Sequence, residues 1–126
     1  MLLDTAAFIW AVMDPDQLSA KARSVCESSD WSLRVSPASL AEILIKVRKG
    51  KLPEEMTPDW FYRHVESLLV EYIPIGARHI GRSSLLPAIH KDPFDRLLIA
   101  TALEEQWPLL TCDQDIQKYP NVQVIW

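Results

Sequence analysis

The sequence of 126 residues has little cysteine, no long apolar run and no excess of positive charge. Cys26 and Cys112 are too few and too far apart to indicate a disulfide framework or a zinc site, so we expect reduced thiols in a cytoplasmic protein. No apolar run approaches the ~20 residues needed to cross a bilayer. The opening residues, MLLDTAAFIW, lack the basic segment of a secretory signal. We therefore expect a protein without a membrane span whose fold begins at Met1.

The charge balance limits how this protein can bind nucleic acid. The formal net charge is -4, which argues against a large electrostatic footprint on phosphates. It does not exclude a nuclease, because a metal site concentrates acids that bound cations partly neutralise. One short basic run, KVRKGK, supplies Lys46, Arg48, Lys49 and Lys51. Two interpretations are open: a solvated helix C-terminus that Gly50 ends, or a surface that faces RNA phosphates.

Short apolar runs alternate with helical periodicity, without repeats or linkers, and this order predicts a single domain over residues 1–126. We expect strands at MLL, LRV, YIPI, PLLT and VQVI. We expect helices at TAAFIWAVM, 19–28, from Ser36-Pro37, from Thr57-Pro58 to about Val70, at 77–86, from DPFD to about Gln106, and a short one at DQDIQKY. Strands alternating with helices predict an α/β fold, a three-layer α/β/α sandwich with a central parallel sheet.

Four acids fall where a site is expected in such a sheet, near the carboxyl ends of strands. Asp4 follows MLL and Asp113 follows PLLT, while Glu42 and Asp95 lie in the early turns of helices. Asp4 and Asp113 also suit plain helix caps. Glu42 is harder to explain as a structural residue, because its helix is apolar nearly all round and a lone buried carboxylate is unfavourable. A surface position for Glu42 stays open.

The segment HKDPFDRLL holds two aspartates with different expected roles. Asp92 can cap a helix that begins at Pro93, and Asp95 can reach back to that cap in a capping box. Alternatively, Asp95 belongs to an acidic site that happens to begin a helix. The segment alone leaves both interpretations open.

The four acids together make a stronger argument than any one of them. Carboxylates within ~5 Å of one another repel by about 3 kcal/mol per pair at an effective dielectric constant near 20. A protein tolerates this only with a compensating cation or raised pKa values. Oxygen ligands without a thiolate cluster favour Mg²⁺, with Mn²⁺ as a substitute, over zinc. We interpret His90, the one histidine near these acids, as a supporting or surface residue rather than a ligand.

The chain resembles the PIN domain ribonucleases, specifically VapC-like toxins of bacterial toxin–antitoxin pairs. The matching segments are LLDT, SLAEI, DPFDRLLIATAL and LLTCDQDI, in the family's order across almost the whole chain. The resemblance places the catalytic and metal-binding acids at Asp4, Glu42, Asp95 and Asp113, with Asp92 as the cap. It makes Thr5 and Thr111 hydroxyl positions beside the site, and Asp115 a reserve ligand. Arg96 would contact RNA phosphate or hold a carboxylate, and we favour the second role.

The resemblance implies a Mg²⁺-dependent endoribonuclease that hydrolyses RNA phosphodiester bonds. It also implies a cognate antitoxin that silences the toxin, and a homodimer. For the partner surface we expect apolar residues of the helices in 19–70, with Trp60 and Phe61 as anchors unless both lie in the core.

Other classes of protein fit the residues less well. A metal-dependent phosphatase with an aspartate nucleophile usually has a second aspartate two residues later, where this chain has Ala6. A receiver domain needs a phosphorylated aspartate after a mid-chain strand, and LRVSPASL has none. A catalytically weak PIN-like scaffold that only binds a partner is the remaining alternative, although such a scaffold usually lacks part of the quartet.

Overall fold

Five short parallel strands form the central sheet in the computed structural model, which describes residues 1–126. Their order across the sheet is β3-β2-β1-β4-β5, and every neighbouring pair is parallel. The strands are β1 (Leu2–Leu3), β2 (Arg34–Val35), β3 (Glu71–Tyr72), β4 (Leu109–Leu110) and β5 (Val124–Ile125). The predicted parallel α/β sandwich is confirmed.

Six helices connect and cover these strands: α1 (Thr5–Met13), α2 (Ala20–Glu27), α3 (Pro37–Arg48), α4 (Pro58–Ser67), α5 (Ala77–Leu85) and α6 (Pro93–Glu105). Short 3-10 helices lie at Pro15–Gln17 and Ile116–Lys118. None of the helices combines the length and the apolar character needed to cross a membrane.

Polar side chains fix where most of the helices begin. The side chains of Asp4, Ser19, Ser36, Thr57 and Asp92 each accept a hydrogen bond from a backbone amide in the first turn of the helix that follows. Three of these caps precede a proline, which suits the first helical position because its missing N–H has no intrahelical partner there. The cap-and-proline pairs therefore set the entry points of α3, α4 and α6.

The helix α4 ends earlier than its sequence suggests. We expected it to continue to about Val70, but it stops at Ser67. Leu69 takes a left-handed backbone conformation with φ 53°, and the amide of Val70 donates to the carbonyl of Val65 at 2.9 Å. This closing turn resembles a helix C-terminus with a left-handed residue, here without the usual glycine.

The sheet is covered on both faces, which makes three layers. Leu2 and Leu109 pack on one side with Leu98, Ile99 and Ala102 of α6. The next residue of β1 and of β4, and one residue each of β2 and β5, belong to the core on the opposite face, with residues of α1, α2, α3 and α4. These strand residues are Leu3, Leu110, Val35 and Ile125. Because successive strand residues face opposite sides, a strand buried on both faces has a continuous apolar sequence. That is why LL recurs in β1 and β4.

Two expected partner anchors are part of the core instead. Phe61 is fully buried, and its ring lies 5.0 Å from that of Phe8; Trp60 is only 6% exposed and packs edge-on against Phe8. The prediction that they anchor a partner is therefore wrong for this fold, because α4 turns both rings towards the sheet. The adjacent Tyr62 is the exposed aromatic of α4, at 51%.

We predict that Phe61→Ala lowers the free energy of unfolding by about 3–5 kcal/mol, since it removes a buried ring and leaves a cavity. Tyr62→Ala is the matched control on the same helix and should cost at most about 1 kcal/mol, because it loses mainly an aromatic edge contact. Urea unfolding of the three proteins measures both differences. Equal losses for the two variants would contradict the assigned burial.

Candidate metal site

Asp4 lies at the carboxyl end of β1 and has two structural functions. Its backbone amide donates to the Leu110 carbonyl at 3.1 Å, which joins it to β4. Its side chain caps α1 by accepting from the Ala7 amide, and the residue is only 6% exposed. The alternative interpretation as a helix cap is therefore correct, and it holds the carboxylate at the edge of the sheet.

Glu42 is buried, so the surface interpretation of this residue is wrong. It lies in the second turn of α3, the helix that follows β2, and is 6% exposed. One carboxylate oxygen, Oε1, is 2.5 Å from the ammonium nitrogen of Lys46. The other oxygen, Oε2, is buried without a hydrogen-bond partner. A buried charged oxygen without a partner is unfavourable unless something else binds it.

The two aspartates around Pro93 have separate roles. Asp92 Oδ1 accepts from the amides of Phe94 at 2.8 Å and Asp95 at 3.4 Å, so Asp92 is the cap. A capping box would need Asp95 to bind the Asp92 amide, but that amide donates to Nδ1 of His90 at 3.2 Å. The carboxylate of Asp95 therefore takes no part in capping and can belong to the acidic cluster.

Asp113 completes the acidic cluster from the loop after β4. Its Oδ1 accepts from the amides of Asp115 and Ile116, at 2.7 and 3.3 Å. Its Oδ2 lies 3.1 Å from Nε2 of His90. One oxygen therefore organises the following turn, as the capping interpretation predicted, while the other faces the site.

His90 lies between two of the acids, closer than its sequence position suggested. Its Nε2 is 3.4 Å from Asp95 Oδ2 and 3.1 Å from Asp113 Oδ2. Ligand atoms of these three side chains lie within 4.8 Å of one another. Because Nδ1 accepts from the Asp92 amide, we assign the proton to Nε2, which then donates to the carboxylates. The ring therefore supports the acids as a hydrogen-bond donor. The sequence signal for this role is the position of His90 two residues before the capping Asp92.

The acids perturb one another's ionisation. Burial raises the pKa of Asp4 to about 6, helped by the charges of Glu42 and Asp113 and opposed by hydrogen bonds from Thr111 and Ala7. Burial raises the pKa of Asp95 to about 7, opposed by His90 and helped by the charges of Asp92, Glu42 and Asp4. Glu42 and Asp4 therefore lie near enough to Asp95 for their charges to raise its pKa.

The pKa of Asp113 moves the other way. Burial raises it, but hydrogen bonds from His90 and from the amides of Asp115 and Ile116 outweigh burial and lower it. Asp113 is therefore the member of the cluster that the surrounding hydrogen bonds keep charged.

The cluster fits a divalent cation. It offers carboxylate oxygens and no thiolate pair, which suits Mg²⁺ or Mn²⁺. The partnerless Oε2 of Glu42 and the raised pKa values of Asp4 and Asp95 are the features expected where a cation is needed to offset repulsion.

Of the predicted hydroxyl and reserve positions, two are at the site and one is not. Thr111 Oγ1 accepts from the Asp113 amide at 3.0 Å, which helps to orient the last acid. Thr5 is buried beside Asp4, and its hydroxyl oxygen has no partner. Asp115 is exposed and its carboxylate pairs with Lys118, so the side chain is engaged outside the cluster.

Arg96 does not hold a carboxylate as expected. Its guanidinium donates to the carbonyls of Ser83, Leu86 and Pro87 at 2.8, 3.0 and 2.8 Å, with a longer bond to the carbonyl of His90 at 3.4 Å. Arg96 thus satisfies carbonyls at the end of α5, which otherwise have no intrahelical partner.

Only the first residue of the basic run, Lys46, contacts an acid of the site. Lys46 contacts Glu42, whereas Arg48, Lys49 and Lys51 are exposed at and beyond the end of α3. Gly50, with φ 66°, ends the helix as predicted.

The fold and the acids together define an α/β protein with an acidic site, suited to a divalent cation, at the carboxyl edge of a parallel sheet. A family model described as PIN domain matches residues 1–122. The chain belongs to the PIN domain family, and the family resemblance predicted from the sequence is confirmed.

Individual relatives agree with this assignment. The chain is 27% identical over 131 residues to Ribonuclease VapC22 of Mycobacterium tuberculosis, covering 100% of this chain and 98% of that protein. It is similar in fold to VapBC2 from Rickettsia felis, solved bound to a DNA fragment from its promoter, with a TM-score of 0.72, 19% identity and coverage of 98% and 96% of the two chains. FitAcB from Neisseria gonorrhoeae gives a TM-score of 0.65 at 16% identity, over 99% and 96% of the chains.

We predict that the metal-free protein loses stability as the pH rises from about 4 through about 7. The folded pKa values of Asp4 and Asp95, about 6 and about 7, lie above the ordinary 3.8, so the folded protein keeps protons that the unfolded chain has released. Asp95→Asn removes one such charge. Chemical unfolding of the apo proteins should show the variant gaining stability over wild type at about pH 8 but little at about pH 4.

Asp92 provides the matched control three residues away. Asp92→Asn should keep most of the cap, because asparagine caps about as well as aspartate. Its gain in stability at the higher pH should be smaller than that of Asp95→Asn. Asp92→Ala should cost about 1 kcal/mol at both pH values. An Asp95→Asn variant less stable than wild type at the higher pH would show that Asp95 is a capping residue rather than a repelled acid.

Proposed function

We propose that this protein is a Mg²⁺-dependent endoribonuclease, with Mn²⁺ as a substitute, that hydrolyses RNA phosphodiester bonds and acts as the toxin of a toxin–antitoxin pair. The observation that carries the proposal is the acidic cluster at the carboxyl edge of the sheet, in which Asp4 and Glu42 are buried and one Glu42 oxygen has no partner. The family and the ribonuclease relative support the reaction. The fold likeness to a toxin–antitoxin complex from Klebsiella pneumoniae, at a TM-score of 0.64, supports the antitoxin partner.

In this proposal each acid has a distinct task. Asp4 and Asp95 hold the cation, because burial and neighbouring negative charges raise the pKa values of both. Glu42 contributes Oε2, and Asp113 contributes Oδ2 or orients the attacking water. When bound, a divalent cation lowers the pKa of a water molecule and stabilises charge on the leaving oxygen.

The remaining residues orient these groups. Nε2–H of His90 fixes the carboxylates of Asp95 and Asp113, and Thr111 fixes the backbone of Asp113. Arg48, Lys49 and Lys51 lie exposed beyond the site, where they supply weak, non-specific contacts to RNA phosphates. We also propose that the protein forms a homodimer and that a cognate antitoxin binds it.

The proposed reaction predicts that metal-loaded protein cleaves single-stranded RNA and that Asp4→Asn and Asp95→Asn each abolish cleavage. Each change keeps the shape of the side chain while removing a charge that the cation needs. Asp30→Asn, at an exposed acid away from the cluster, is the control and should cleave like wild type. If wild type leaves varied RNAs intact under these conditions, just as Asp4→Asn does, the protein is a PIN-like binding scaffold and the nuclease proposal fails.

Cation binding should also stabilise the fold, because the cation binds the folded state and relieves repulsion that the unfolded chain does not have. At ten times the dissociation constant, mass action adds about 1.4 kcal/mol to the free energy of unfolding. Calorimetric melting with and without Mn²⁺ measures the shift. If saturating Mn²⁺ neither shifts the melting temperature nor produces heat of binding in a titration, the proposed metal site is contradicted.

A further inference from the structure

Lys46 contacts the acidic cluster from the same helix as Glu42. The two residues are four apart on α3, a spacing that places their side chains on one face. The Lys46 ammonium lies 2.5 Å from Glu42 Oε1, while the side chain of Glu42 is 8% exposed and that of Lys46 is 42% exposed. The ion pair therefore has one buried end, in the cluster, and one end that reaches the surface.

The two carboxylate oxygens of Glu42 have different surroundings. Oε1 is occupied by the ammonium, and Oε2 is buried without any partner. An acid held in this way offers Oε2 freely to a cation, whereas binding through both oxygens would bring the cation up against the ammonium on Oε1.

We propose that Lys46 is a positioning residue that restricts Glu42 to binding a cation through one oxygen, and that it thereby makes the site prefer Mg²⁺ to Ca²⁺. The inference rests on the proposed metal-dependent function. It concerns the selectivity of the site, which neither the acids nor the family assignment determines.

The preference follows from the coordination chemistry of the two ions. Ca²⁺ takes 6–8 oxygen ligands at flexible angles and often binds both oxygens of one carboxylate. Mg²⁺ is smaller, requires near-octahedral geometry, and keeps several waters beside one or two carboxylates. The ammonium on Oε1 thus disfavours the two-oxygen binding that Ca²⁺ would use, whereas Mg²⁺ does not need it.

A simpler role for Lys46 makes a different prediction. If the ammonium acted only as a nearby positive charge, it would repel Mg²⁺ and Ca²⁺ alike, because both are divalent. Its removal would then tighten the binding of both ions by a similar factor. The ratio of the two dissociation constants separates this role from the proposed one.

The test is calorimetric titration of the metal-free full chain with MgCl₂ and, separately, with CaCl₂. In Lys46→Met, which removes the ammonium at similar length, the ratio of the Ca²⁺ to the Mg²⁺ dissociation constant should fall by about tenfold, in line with the effect of other residues that orient metal ligands. Lys46→Arg should largely keep the wild-type ratio, because a guanidinium can also hold Oε1. Lys46→Ala should show the same fall as Lys46→Met.

Lys21→Met, at an exposed lysine of α2, is the control for the loss of one positive charge, and its ratio should match that of wild type. An unchanged ratio in both Lys46→Met and Lys46→Ala, whatever happens to the separate affinities, overturns the inference and leaves the nuclease proposal standing. Failure of the wild-type chain to bind either ion overturns both.

Discussion

Repulsion among carboxylates gathered at one edge of the sheet is the constraint on which the rest of the site depends. Burial is the largest cause of the raised pKa values of Asp4 and Asp95, and the charge of Glu42 adds to both shifts. Such a cluster is unfavourable in the metal-free protein. The chain maintains it because each acid is attached to an element whose position is fixed by the packing of apolar residues on both faces of the sheet.

The local hydrogen bonds show how that unfavourable charge is partly offset. Asp4 and Asp113 each use one oxygen to bind backbone amides of the turn that follows. Oε1 of Glu42 binds Lys46, and Oδ2 of Asp95 faces His90. Hydrogen bonds from amides and cations favour the charged form of a carboxylate, so they counteract burial and repulsion. Glu42 Oε2 is left as a buried acid oxygen without a partner, available to a small cation.

Most of the fold could be predicted from the sequence because its signals are local. Apolar pairs mark the strands β1, β4 and β5, and a capping residue followed by proline marks the starts of α3, α4 and α6. The acids could be found for the same reason, since each follows a strand or lies in an early turn of a helix. The end of α4 could not be predicted, because it depends on Leu69 taking a left-handed conformation that leucine rarely adopts. The burial of Trp60 and Phe61 depended on which face of α4 meets the sheet.

The role of Arg96 was missed, and the exact position of His90 could not be predicted, because both depend on contacts between distant parts of the chain. Arg96 donates to carbonyls at the end of α5 and to the phenol oxygen of Tyr119, and the His90 amide donates to that same oxygen at 2.8 Å. Tyr119 in turn donates to the carbonyl of Pro87. This network fixes the loop that carries His90, and so it places Nε2 between Asp95 and Asp113. The orientation of two acids therefore depends on an arginine and a tyrosine whose side chains bond to neither carboxylate.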